Sequence, residues 1–239
     1  MPKPFDLSET PRILIARLSA VGDVIHAMPL ANALRERFPR AFLAWVAANP
    51  AATLLEGHEA LDELIVLPRR WMKSLHSILE LRRRLRAMRF DVAIDAQGLA
   101  KSAIAAWLSG APRRIGYGDQ WGREMSRWFH TDLITTKTKH TVDRTLELIE
   151  PLGIVRPAVH FRVPLAGPER EAAAAILREA GIEGRFAIIN AGAGWSSKLW
   201  PTDRFAAVAR HLGRQWSLPV LVVSLDRKST RLNSSHTSV

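Results

Sequence analysis

A carboxylate at the start of a helix, directly behind a tight turn, is the first group in this chain with the means to do chemistry. Asp23 lies in Arg17-Leu18-Ser19-Ala20-Val21-Gly22-Asp23-Val24-Ile25-His26, just after the apolar run Ile13-Leu14-Ile15-Ala16. Such a run is what a parallel sheet buries on both faces. Ser19, Ala20 and Gly22 are small enough for the backbone to turn sharply and approach a ligand. Val24, Met28, Ala31, Leu34 and Phe38 then keep helical spacing. Asp23 is therefore expected beside the carboxyl end of the first strand, where open α/β sheets bind ligands. Two roles fit it. It is a helix N-terminal acid stabilised by the macrodipole, or a general base aimed into a cleft.

The other candidates suit anions and sugars. Asn190-Ala191-Gly192-Ala193-Gly194-Trp195-Ser196-Ser197-Lys198 lies between an expected strand and helix. Small residues there let backbone N–H groups reach a phosphate, and Lys198 adds a point charge. A glycine-rich connection with a surface lysine explains the stretch equally well. It is not a Walker A loop, because no Lys-Ser or Lys-Thr follows its second glycine. Arg69, Arg70 and Lys73 follow the third strand and Arg123 sits in a later loop, so both groups are expected to open on the strand carboxyl ends as an anion site. Asp95-Ala96-Gln97-Gly98 ends the fourth strand; Asp95 suits a capping role and Gln97 a sugar hydroxyl. Arg82, Arg83, Arg84 and Arg86 occupy one helix and read as a solvated or membrane-facing set.

The elements that must position these groups alternate regularly. Strands are expected at 13–16, 41–46, 64–67, 91–95 and 113–116. Helices are expected at 24–38, at about 74–88 and 99–108, and at 142–149, with a short one at 51–55. This alternation indicates a doubly wound parallel sheet. Residues 116–138 lack periodicity and read as a long functional loop with a helical turn or two. Residues 155–168 are proline-rich and read as a linker. A second pattern follows: helix 169–180, strand 186–189, helix 203–216, strand 220–223. The boundaries expected are 1–165 for a first domain and 166–225 for the beginning of a second. Asp226–Val239 is polar and aperiodic, and reads as a non-native tail.

Composition bounds the partners. The 239 residues carry a net charge of +11, which calls for acidic partners: nucleic acid, phosphorylated small molecules or an anionic membrane surface. Cysteine is absent, so disulfides and thiolate metal sites are excluded. No apolar stretch is long enough to span a bilayer, and the first residues lack the apolar core of a signal peptide; a soluble chain is expected. No Asp-x-Asp and no His-x-x-x-His occurs, which leaves magnesium and zinc sites unsupported. No Gly-x-Gly-x-x-Gly follows the first strand, against a dinucleotide oxidoreductase.

The segment Arg17 to His26 resembles the N-terminal signature of glycosyltransferase family 9, the ADP-heptose:lipopolysaccharide heptosyltransferases, and is closest to the heptosyltransferase I group. The resemblance extends to Arg69-Arg70-Trp71-Met72-Lys73, Asp95 to Ala103 and Asp119-Gln120-Trp121-Gly122-Arg123-Glu124. It continues at His140 to Leu148 and Ser197-Lys198-Leu199-Trp200-Pro201. Matches in this order over residues 12–223 are specific where any one alone is weak.

The resemblance implies a GT-B fold with a complete N-terminal Rossmann-like domain and an incomplete second one. It implies inverting transfer of heptose from ADP-heptose to Kdo-lipid A, with no metal or other cofactor. Asp23 would be the general base. Lys198, Gly194 and Ser197 would hold the donor phosphates. Gly22, Arg69, Arg70, Lys73, Gln97 and Arg123 would hold the anionic, lipid-linked acceptor. A monomer on the cytoplasmic face of the inner membrane, binding no nucleic acid, is expected. The family's Asp-Thr-Gly-x-x-His-like nucleotide-sugar stretch has no counterpart here, so a fragment with weak or no turnover is expected. A family 9 enzyme using another sugar or acceptor, or a non-catalytic anion-binding module, is the alternative.

Overall fold

Ile13, Leu14, Ile15 and Ala16 are completely buried in the computed structural model, which describes residues 7–68, 70–165, 167–192 and 196–223, and not the side chain of Ser196. They form the centre of strand β1 (Arg12–Ala16). Side chains alternate across a strand, so Ile13 and Ile15 enter one apolar core while Leu14 and Ala16 enter another. Burying an isoleucine or leucine fully is worth about 1.5–3 kcal/mol, so β1 ties both layers to one strand.

Around it stand β2 (Phe42–Ala48), β3 (Glu63–Leu67), β4 (Val92–Asp95), β5 (Arg113–Tyr117) and β6 (Asp132–Ile134), in the order β3-β2-β1-β4-β5-β6. Every pairing is parallel. One face is covered by helix α1 (Val21–Arg37) and helix α4 (Thr141–Glu147). The other is covered by α2 (Leu75–Ala87) and α3 (Ala100–Leu108). This is the doubly wound arrangement, and its strand order reverses between β1 and β4.

Two expectations need correction. Residues 116–138 are not one long loop. β5 runs on to Tyr117, a 3-10 turn covers Ser126–Phe129, and Asp132–Ile134 adds a sixth strand. Arg113 fixes that edge by bonding both carboxylate oxygens of Asp132, at 2.9 and 2.6 Å. The short helix expected at 51–55 is present with those bounds, as a 3-10 helix over Ala51–Leu55.

The proline-rich segment is also more than a linker, because its first part is strapped to the first unit. Asn32 Nδ2 donates to the His160 carbonyl at 2.6 Å, and Arg162 pairs with Glu36 at 3.2 Å. Beside this strap His58 is 3% exposed. Burial pushes its imidazole below the usual histidine value, against the pull of the Phe161 carbonyl and Glu59, and Arg162 adds to the depression. Between the folded value and about 6.5 the unfolded chain holds the extra proton, so stability is full above about pH 6.5 and falls as the pH drops through that window. Urea midpoints are expected to fall between pH 7.5 and 5.5. His58→Asn, which keeps an acceptor for the Ala60 N–H that now bonds Nδ1 at 3.2 Å, should flatten part of that slope. An unchanged slope in the variant rules His58 out as its source.

The chain divides into two compact units, Met1–Pro164 and Leu165–Val239. The second contains α5 (Gly167–Glu179), β7 (Ala187–Asn190), α6 (Thr202–Trp216) and β8 (Val220–Val223). β7 and β8 pair in parallel through the α6 crossover. Among the described residues its helices bury no side chain, and Ile188 and Trp216 are 60% and 63% exposed. The tail at 226–239 lies outside the described residues, as do Arg69 and Gly194.

Candidate active site

The reversal of strand order between β1 and β4 leaves a crevice at their carboxyl ends, and the turn 17–20 and the turn 96–99 line it. Asp23 is the third residue of α1. Its Oδ2 accepts the Ala20 N–H at 3.3 Å, which satisfies one of the free amides at the helix start. The same oxygen lies 3.0 Å from Arg17 Nη2. The Asp23 side chain is 47% exposed while that of Arg17 is 11% exposed. One carboxylate is thus fixed by an inner guanidinium and still open to a ligand. The helix-capping and proton-accepting roles are compatible in this geometry, since one oxygen makes both bonds and the other remains available.

Arg17 reaches across the crevice. Its Nη1 donates to the Ala96 carbonyl beyond β4, and its own carbonyl accepts from the Trp45 indole N–H at 3.1 Å. Gln97 closes the same gap from the other side. Its Oε1 accepts the Leu18 N–H at 2.8 Å, and its Nε2 lies 3.4 Å from Ser19 Oγ. The amide oxygen of Gln97 is therefore engaged in shaping the Asp23 turn.

Asp95 does more than cap. Oδ1 accepts the backbone N–H groups of Gln97 and Gly98 at 2.9 and 3.0 Å. Oδ2 lies 3.1 Å from His130 Nε2, and neither side chain is exposed at all. The imidazole fits only because residue 116 is glycine: a Cβ there would meet the ring at 2.3 Å. Gly98 has φ +73°, and a Cβ on it would meet the Trp121 carbonyl at 2.2 Å, so the turn after β4 needs glycine on both counts.

Arg123 is placed by its backbone, whose N–H donates to the Gly98 carbonyl at 2.9 Å, while Glu124 accepts the Ala100 N–H at the start of α3 at 2.9 Å. Asp119 anchors the other end of this loop. Burial would raise its pKa. Bonds from Thr136 Oγ1 at 2.6 Å, Trp121 N at 3.0 Å and Thr136 N at 2.7 Å outweigh that and hold the carboxyl below the usual range. Arg144 of α4 stacks 3.6 Å over the Trp121 ring. The structure thus ties the Asp23 turn to Gln97 and sets the backbone of Arg123 against Gly98, with Arg17, His130 and Arg144 as supports that residue type alone did not single out.

Arg70 and Lys73 follow β3, two strands from β1. Both are exposed, and no bond joins them to Asp23 among the described residues. Gly22 lies in the first turn of α1, where a Cβ would meet nothing within 4 Å. The fold itself does not demand glycine there, so any demand comes from a ligand approaching the helix start. Lys198 and Ser197 end a 3-10 turn in the second unit and are exposed. Among the described residues no group of three or more His, Cys, Asp or Glu side chains could hold a metal, and no helix is long and apolar enough to cross a membrane.

The family model for glycosyltransferase family 9 (heptosyltransferase) matches residues 78–236, and the chain belongs to that family. It is 28% identical over 221 residues to lipopolysaccharide heptosyltransferase 1 of Pseudomonas aeruginosa, covering 87% of this chain and 59% of that protein. It is 33% identical over 158 residues to the Salmonella typhimurium protein of the same name, covering 61% and 49%. The chain therefore spans about half the length of these curated relatives. Among solved structures, a family 9 glycosyltransferase from Veillonella parvula superposes with a TM-score of 0.79 at 24% identity, over 92% of this chain and 64% of that one. The E. coli heptosyltransferase WaaC with ADP gives 0.68 at 25% identity, over 88% and 66%. The α/β fold with its parallel sheet is that of these GT-B heptosyltransferases.

Proposed function

We propose that this chain carries the acceptor half, and the beginning of the donor half, of a metal-independent inverting heptosyltransferase that moves heptose from ADP-heptose to Kdo-lipid A. The observation that carries this reading is the Asp23 carboxylate, held by Arg17 at 3.0 Å yet open at the strand-order reversal. Asp23 takes the proton of the acceptor hydroxyl as its oxygen bonds to the anomeric carbon, and the bond from that carbon to the diphosphate oxygen breaks so that ADP leaves from the opposite face. Lys198, with the amides around Gly194 and Ser197, stabilises the charge growing on the diphosphate. Gly22 leaves room at the helix start, while Gln97, Arg123, Arg69, Arg70 and Lys73 receive the sugar and its phosphates and carboxylates. Weak or absent turnover by these 239 residues is expected, because the loop bearing Lys198 sits on a unit whose described helices bury no side chain.

The test is ADP release from ADP-heptose with Kdo-lipid A, at enzyme concentrations high enough to read slow turnover, beside direct acceptor binding by the same chain. Lys198→Ala should lower kcat/KM for the donor about a hundredfold with acceptor binding unchanged. Acceptor-dependent turnover of a different nucleotide sugar would move the reading to another family 9 transferase. Failure to bind Kdo-lipid A would remove the acceptor assignment altogether.

A further inference from the structure

The +11 charge is unevenly spread over the first unit. Between residues 75 and 89 stand five arginines, at 82, 83, 84, 86 and 89, against the single carboxylate of Glu80. The helices on the other sheet face are balanced: Asp23, Glu36, Asp143 and Glu147 accompany Arg35, Arg37 and Arg144 in α1 and α4. Arg84 is engaged by Glu63 at 2.6 Å. Arg82, Arg83 and Arg86 are exposed and have no ion pair among the described residues.

Apolar groups accompany this charge. Leu75 is 80% exposed and Leu79 60%, although α2 already buries Leu81 and Leu85 against the sheet. At 100° per residue, Leu75, Leu79, Arg82 and Arg86 fall on one stripe along the helix. α3 packs beside α2, and the 3-10 turn Ser126–Phe129 packs on α3; that turn presents Trp128, 83% exposed. Exposed leucines, a tryptophan and unpaired arginines on one layer are the composition of a surface that lies in a lipid headgroup region. A polyanion in water would attract the arginines but give the leucines nothing to bury against.

We infer that the outer face of α2, with Leu75 and Leu79 dipping below the headgroups and Arg82, Arg83 and Arg86 at their level, docks this chain on an anionic bilayer. The inference rests on the reading of the acceptor as membrane-borne and names the face that meets the membrane. Docking there leaves the Asp23 crevice on the sheet edge, since α2 covers a face of the sheet and not the strand ends.

The experiment is sedimentation of the full chain with vesicles of phosphatidylcholine alone or containing one-third phosphatidylglycerol, at low salt and at 0.5 M salt. Binding to the anionic vesicles only, weakened by salt, is expected. Replacing Arg82, Arg83 and Arg86 together by Gln should lower the partition coefficient about fivefold per arginine, about a hundredfold in all. Leu75→Ser with Leu79→Ser should weaken binding to anionic vesicles with its salt dependence kept. All five positions are exposed, and matching circular dichroism and melting curves establish that the variants fold. Equal binding by the arginine variant, or binding to neutral vesicles as tight as to anionic ones, would overturn the inference. So would leucine variants that bind as the parent does, which would make the surface a general polyanion site. Asp23→Ala should sediment unchanged, so loss of the transferase reading and loss of the docking face give different results.

Discussion

Asp23→Asn is expected to lower kcat for heptose transfer by about 10²–10⁴, with acceptor affinity and thermal midpoint close to those of the parent. An amide at this position still offers an oxygen to the Ala20 N–H at the start of α1. It cannot take a proton from a hydroxyl. Arg17 keeps its bond to the Ala96 carbonyl and its place against β4, so the crevice walls stay in register. The measurement is ADP release under single-turnover conditions, in parallel with Kdo-lipid A binding. Loss of binding in step with loss of turnover would make Asp23 a structural cap and not a base. Retained turnover would place the base elsewhere.

The second large effect is on stability. Asp95→Ala is expected to cost about 3–5 kcal/mol, read as a fall in the urea midpoint at constant m-value. The substitution strips the acceptor from two backbone N–H groups, those of Gln97 and Gly98, and from His130 Nε2 in a site from which water is excluded. His130 Nδ1 already lacks a partner among the described residues, so the ring would be left with none at either nitrogen. Asp95→Asn, which keeps the Oδ1 acceptor, should cost clearly less than the alanine. A loss below about 1 kcal/mol for Asp95→Ala would mean that the buried pair contributes little beyond its packing.

Most of the first unit was legible because its signals are local. The apolar runs of β1 and β4 reflect strands buried on both faces, and the spacing of Val24, Met28, Ala31 and Leu34 in α1 reflects one buried helical stripe. Asp23 was legible for the same reason, since strand, small turn and helix start lie within a dozen residues. β6 was not. Asp132–Ile134 is three residues long at a sheet edge, with Leu133 45% exposed, and what fixes it is Arg113, nineteen residues earlier. His130 was illegible as a site residue because its partner Asp95 is 35 positions away and nothing near it in the chain marks it. Arg17 directly follows the apolar run of β1 and nothing local marks its partner. Its reach to Ala96 depends on β1 and β4 being neighbours, which chain order does not state. The bonds of Gln97 to Leu18 and Ser19 likewise depend on β1 and β4 being neighbours.

That adjacency of β1 and β4 also bears on how the chain is made. The contact of Leu18 with Gln97 spans 79 residues, and at roughly 5–20 residues per second a ribosome takes about 4–16 s to traverse them. As that interval passes β2 and then β3 can pair with β1 and each other, but the β4 side of β1 stays an open edge of unpaired N–H and C=O groups, the kind of edge that recruits other strands. The nascent chain thus passes several seconds with one edge of its central strand unpaired, and a slow codon run placed between residues 50 and 90 would lengthen that exposure. Yield on expression should therefore respond to synonymous changes in that window, and to trigger-type chaperones that hold β1 until β4 emerges.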